Sequence, residues 1–126
     1  MPFSRLPIDI KNFLNEYIDS VTHLEVLLML YTHHDTLFNA QAISKELRTN
    51  TRSAEAQLKH LAEKGLLSVD EKQCYQYKPV SEELHKKVIS VYDIYKVKPV
   101  AVVACIFDKP TEKLKDLSNA FKLKKD

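Results

Sequence analysis

Residues 53–69 read SAEAQLKHLAEKGLLSV, and this stretch decides the fold. Leu58, Leu61 and Ala62 recur at helical spacing and run directly into Gly65, after which Leu66, Leu67 and Val69 form a β-prone run. Gly65 is the only glycine among 126 residues. At the end of a helical pattern it reads as a C-cap, where the backbone turns left-handed and a side chain would clash. The stretch therefore predicts a helix, a glycine cap and a strand in direct succession.

Upstream, RTNT at 48–51 is a polar turn, and AQAISKEL at 40–47 is a short helix with Asn39 placed to cap it. Two short helices thus follow one another across a tight turn, the second spanning Arg52 to Lys64. Before them, Leu37 and Phe38 fit a very short strand after the turn THHD. The run from Val21 to Tyr31 is apolar on nearly every side, with Ser20 as its cap, and predicts a central helix. Ile10, Phe13, Leu14, Tyr17 and Ile18 mark one stripe of a first helix over 8–19.

Downstream, LLSVDE and YQYKPV, joined by Lys72, Gln73 and Cys74, read as a β-hairpin in which Tyr75 and Tyr77 alternate with Gln76 and Lys78. Ser81 starts a long amphipathic helix with Glu82 and Glu83 in its first turn and Leu84, Val88, Val91, Tyr92 and Tyr95 on its stripe. KPVAVVACIF fits either a buried strand or a helix with Pro99 in its first turn; a helix is expected because it continues an all-helical C-terminal half. A last helix is expected to carry Leu114, Leu117, Ala120 and Phe121 ahead of a lysine-rich end.

Composition sets limits on function. With 44% hydrophobic and 29% charged residues the chain reads as one globular domain over 1–126. No apolar run approaches the ~20 residues that cross a bilayer, and MPFSRLPIDI lacks a signal peptide's hydrophobic stretch, so a cytoplasmic location is expected. A single glycine excludes the glycine-rich loops that cradle phosphates, because several backbone amides must approach the ligand without side chains between. Cys74 and Cys105 follow no metal spacing and read as reduced structural thiols. His33, His34 and Asp35 read as a solvated turn rather than a metal cluster, and His23, His60 and His85 as helix-surface residues. Neither enzyme chemistry nor a cofactor or metal is expected. A net charge of +2 does not by itself imply nucleic acid.

The order helix, short strand, helix, turn, helix, glycine, strand, strand resembles a winged helix-turn-helix domain over about residues 20–80, as in MarR-like and PadR-like bacterial regulators. Its most specific part is SAEAQLKHLAEKGLLSV, which resembles a recognition helix followed by L-x-x-L-x-x-x-G-L-[LIV]. The resemblance implies a mainly α fold with a small β-hairpin wing (α+β), with flanking helices at 8–19 and 81–126 that serve dimerisation. It makes Ala40–Leu47 the first helix of the motif and Arg52–Lys64 the recognition helix.

In such domains the start of the recognition helix meets base edges while flanking residues hold phosphates. Arg52, Ser53 and Gln57 are then candidate base contacts, with Lys59 and His60 also on the outward set. Arg48, Thr49, Asn50 and Thr51 in the turn, and Lys72 with Gln73 at the wing tip, are candidate phosphate contacts. Glu55 and Ala56 stand where MarR-like recognition helices often carry Ser and Arg, and Glu55 repels phosphate unless it accepts a hydrogen bond from cytosine N4. Over 44–72, Lys45, Arg48, Arg52, Lys59, Lys64 and Lys72 stand against Glu46, Glu55, Glu63, Asp70 and Glu71, a net charge of +1. The C-terminal lysines Lys109, Lys113, Lys115, Lys122, Lys124 and Lys125 read as a solvated face. The expected function is a homodimeric DNA-binding transcriptional regulator. A protein-interaction module is the alternative, motivated by Glu55 and the near-neutral central face.

Overall fold

The structure is a computed structural model that describes residues 6–107. The expected last helix with Leu114, Leu117, Ala120 and Phe121, and the lysines from Lys109 onward, lie outside the described residues. Six helices and one hairpin follow in the order α1 (Ile8–Tyr17), α2 (Val21–Thr32), α3 (Ala40–Leu47), α4 (Thr51–Glu63), β1 (Leu67–Val69), β2 (Tyr75–Tyr77), α5 (Glu82–Val97) and α6 (Pro99–Phe107).

Local sequence explains where each helix starts. Ser20, Asn39, Asn50 and Ser81 each accept a hydrogen bond from the backbone N–H three residues on, at His23, Ala42, Ser53 and Leu84 respectively, which satisfies a donor the helix cannot use. Pro99 opens α6, and the helical alternative for 99–107 is the one adopted. The recognition-like helix begins at Thr51 rather than Arg52, because Asn50 acts as its cap.

The central helix is α2, whose Leu24, Val26, Leu27 and Leu30 are fully buried. It packs against α3, α4, α5 and β2. The same apolar girdle also takes in His23, at 2% exposure, so the expectation that this histidine lies on a helix surface is corrected. Helix α4 adds Ala54, Leu58 and Leu61 to the core, and α5 adds Leu84, Val88 and Val91. Burying a leucine side chain contributes ~1.5–3 kcal/mol, enough for Leu58 and Leu61 to hold α4 in place despite its polar composition. On the far side, α1 packs on α5 and α6.

The hairpin is antiparallel with Leu67 opposite Tyr77 and Val69 opposite Tyr75. Its strands are shorter than LLSVDE and YQYKPV, because Asp70 folds the tip: its Oδ1 accepts from the backbone N–H of Lys72 and of Cys74, both at 2.9 Å. Gln73 closes this turn with a left-handed backbone, φ 65°. The expected short strand at Leu37 and Phe38 is a single bridge, in which Phe38 and Tyr75 exchange N–H···O bonds of 2.8 and 2.7 Å. Among the described residues no helix is long and apolar enough to cross a membrane.

Candidate nucleic-acid interface

Helices α3 and α4 are joined by only Arg48, Thr49 and Asn50. Arg48 adopts the left-handed conformation, φ 55° and ψ 44°, and the Thr49 N–H turns back onto Ser44 O at 3.0 Å. This reverses the chain at once and leaves the Arg48 side chain exposed. Across the turn the hydroxyls of Ser44 and Thr51 lie 3.3 Å apart. The next reversal, at the end of α4, uses Gly65 with φ 86°. Gly65 N–H donates to Ala62 O and Leu66 N–H to Leu61 O, both at 3.0 Å, while the Leu61 and Leu66 side chains are buried. This is the Schellman arrangement, which ends the helix and aims the chain into β1.

The burial pattern sorts the outer residues of α4 into three strips. Arg52, Ala56, Lys59 and Glu63 are exposed, opposite the buried Ala54, Leu58 and Leu61. Ser53, Gln57 and His60 are partly buried. Gln57 and His60 border a cleft of about 320 Å³ shared with Asp19, Ser20 and His23. On the opposite flank, Glu55 and Thr51 border a cleft of about 230 Å³ with Asn39, Gln41, Gln73 and Tyr75.

This sorting redistributes the residues singled out in the sequence. Arg48, Thr51, Arg52 and Lys59, with Lys72 and Gln73 at the wing tip, are exposed side chains. Asn50 is exposed too, but its Oδ1 is committed to the Ser53 N–H at 2.7 Å. Thr49 and Ser53 are partly covered. Two residues differ from the outward placement: the Gln57 Oε1 is buried, and His60 Nδ1 lies 3.2 Å from His23 Nε2. The sequence contained no signal for this, since a 3.6-residue period places both near the edge of the outer face and the deciding neighbour, His23, is 37 residues away.

Electrostatically the face is mixed. Burial, followed by the carboxylates of Glu55 and Glu63, pushes the Tyr75 hydroxyl above its ordinary range, so it stays a neutral hydrogen-bonding group beside the wing. A larger cleft of about 500 Å³ lies on the other side of the wing, bordered by Tyr31, Tyr77, Lys78 and His85 among others. There, burial and then Tyr31 push the Tyr77 hydroxyl above its ordinary range, and it shares a hydrogen bond of 2.8 Å with His85 Nδ1. Thus His85 is half-buried and bonded rather than a free surface residue.

No protein-family model matches the sequence, and no curated protein matches it. Solved structures do share the fold. A single-residue mutant of Staphylococcus aureus MepR superposes with a TM-score of 0.52 at 16% identity, covering 93% of this chain and 88% of that one. A MepR variant from a multidrug-resistant S. aureus clinical isolate gives 0.51 at 17% identity, covering 94% and 88%. A further MepR structure, described as a transcription regulator of the S. aureus multidrug efflux pump MepA, gives 0.49 at 16% identity, covering 94% and 92%. At this identity the likeness is one of architecture: six helices and a two-stranded wing form a winged helix-turn-helix with flanking helices.

Proposed function

We propose that this chain is a DNA-binding transcriptional regulator that reads duplex DNA with α4 and steadies itself with the turn before α4 and the wing tip. The observation that carries the reading is the exposure of Arg48, Arg52 and Lys59, and of Lys72 and Gln73 on the wing, on a scaffold shared with the transcription regulator MepR. Arg52 stands in the first turn of the helix, where a side chain reaches base edges, and the exposed Arg48 and Lys72 are the candidate phosphate contacts. Gln57 is a weaker candidate than Arg52, since its carbonyl is turned into a cleft. Thr49, Asn50, Thr51 and Ser53 are better suited to shaping the turn than to reading bases.

With a net charge of only +1 over this region, one copy neutralises few phosphates, and two copies are needed for tight binding. The homodimer reading is supported by exposed apolar side chains at the α1, α5 and α6 end of the molecule: Ile8, Val97, Val100 and Phe107. Such a dimer sets two α4 helices about one turn of DNA apart. As a regulator of this bacterial type it works in the cytoplasm, without catalysis.

The test is fluorescence anisotropy of the full chain with random-sequence duplex DNA at about 50 and 200 mM salt. Affinity that drops steeply with salt is expected. Absence of binding at low salt would replace the reading with a winged-helix protein-interaction module, which the Glu55 and Glu63 carboxylates on α4 would then explain. On a selected site, Arg52→Ala is expected to weaken binding by ~1–3 kcal/mol.

A further inference from the structure

Helix α4 carries an acid on the side that would meet DNA. Glu55 is exposed in the second turn of the helix, between Arg52 and Lys59. These cations stand three and four residues away, the spacing at which helix side chains are neighbours and pair. Glu55 nevertheless belongs to neither of the ion pairs found among the described residues, which join His34 to Asp35 and His60 to Asp19. Its carboxylate takes no hydrogen bond among those residues either.

The cleft of about 230 Å³ that Glu55 borders supplies no cation: among the described residues its other walls are Asn39, Ala40, Gln41, Thr51, Gln73 and Tyr75. The acid is thus left to a donor from outside the chain. A phosphate cannot be that donor, since it repels a carboxylate. Of the groups that base edges present in the major groove, only the exocyclic amines of cytosine and adenine donate.

Arg52 decides between these two amines. On a helix its Cβ lies about 5–6 Å from that of Glu55, and a guanidinium donates in bidentate fashion to guanine O6 and N7. A guanidinium beside a carboxylate therefore offers donor, donor, acceptor. The major-groove edge of a G·C pair offers acceptor, acceptor, donor, from guanine N7 and O6 and cytosine N4. Neither A·T, T·A nor C·G presents that order in the same direction.

We infer that Arg52 and Glu55 together read one G·C base pair, Arg52 on guanine and Glu55 on the N4 amine of cytosine, so that Glu55 sets specificity. The inference rests on the regulator reading and deepens it by naming the base pair that α4 selects. It also gives the acid on α4 opposite effects on two kinds of DNA. Glu55 opposes binding to random sequence, where it meets phosphate without gaining a donor, and favours the site that supplies the cytosine amine.

The test is selection of sites from a randomised duplex library by the full chain, by Glu55→Ala and by Arg52→Ala, with anisotropy on the selected site after exchange of each base pair. Position 55 is exposed and alanine is a good helix former, so α4 is retained. Wild type is expected to prefer G·C at one position by about tenfold or more. Glu55→Ala should cut that preference about fivefold while tightening binding to random-sequence duplex, because a charge that repels phosphate is gone. Arg52→Ala should cut the preference at the same position and weaken binding to both kinds of DNA. Base preferences unchanged by Glu55→Ala would overturn the inference, as would effects of the two variants at different base pairs. A wild-type chain that binds no duplex at about 50 mM salt would instead overturn the regulator reading, and the inference with it.

Discussion

The two sharp turns that bracket α4 solve the same geometric problem with opposite residues. Both place one residue in the left-handed region, Arg48 before the helix and Gly65 after it. At Gly65 a Cβ would lie 3.0 Å from a Val80 methyl group, and the backbone O accepts from the Val80 N–H at 2.9 Å. Glycine is what close approach and a left-handed backbone both ask for. At Arg48 the side chain points to solvent, so only the backbone strain of ~1–2 kcal/mol opposes it. The difference teaches that the second turn suits stability, while the first accepts backbone strain and leaves the Arg48 side chain exposed beside α4.

The largest expected effect tests the first half of that statement. Gly65→Ala should lower unfolding free energy by about 1–2 kcal/mol in urea denaturation, through left-handed strain more than through Val80, whose exposed side chain can shift. A loss below about 0.5 kcal/mol would mean the turn relaxes and the contrast fails. Asn50→Ala should cost about 1 kcal/mol, because the 2.7 Å bond to Ser53 N–H is what restarts the chain as helix so soon after Arg48. Asn50→Gly, which keeps the turn, should recover most of it.

Arg48→Gly carries the sharpest sign. It should raise stability by about 0.5–1 kcal/mol, the relief of strain less the entropy of glycine, and at the same time weaken DNA binding with a salt slope shallower by about one. A variant that is more stable and binds equally well would remove Arg48 from the interface. Smallest in stability is Lys72→Ala, expected within about 0.5 kcal/mol of wild type. Its salt slope on DNA should nonetheless flatten, whereas an unchanged slope would leave the wing tip without a phosphate contact.

The same contrast explains what could be read from the sequence. Gly65 was legible because glycine after a helical stripe has one common use, and with it came the helix, the cap and the wing. Ser20, Asn39 and Ser81 were legible for the same reason, each a capping residue directly ahead of an apolar period. Arg48 was not, since arginine gives no sign of a left-handed backbone. Asn50 was read as turn rather than cap because the polar run RTNT offers several caps and no apolar residue to choose between them. The position of His23 was hidden for another reason: a histidine on an apolar helix is buried or not according to what covers it, and here the cover is α4. Candidate contacts on α4 were legible as a helix face, but the face is narrower than its polar residues suggest, because Gln57 and His60 turn toward α2.

The Phe38 bridge has a consequence for how copies of this chain can meet. Tyr75 already pairs with Val69 on one side and with Phe38 on the other, so β2 offers no open edge at its start. A second chain cannot extend the sheet there by strand addition, the usual route by which exposed edges recruit one another. The outer edge of β1 carries no such bridge among the described residues, so any strand addition to the wing is confined to the Leu67–Val69 side.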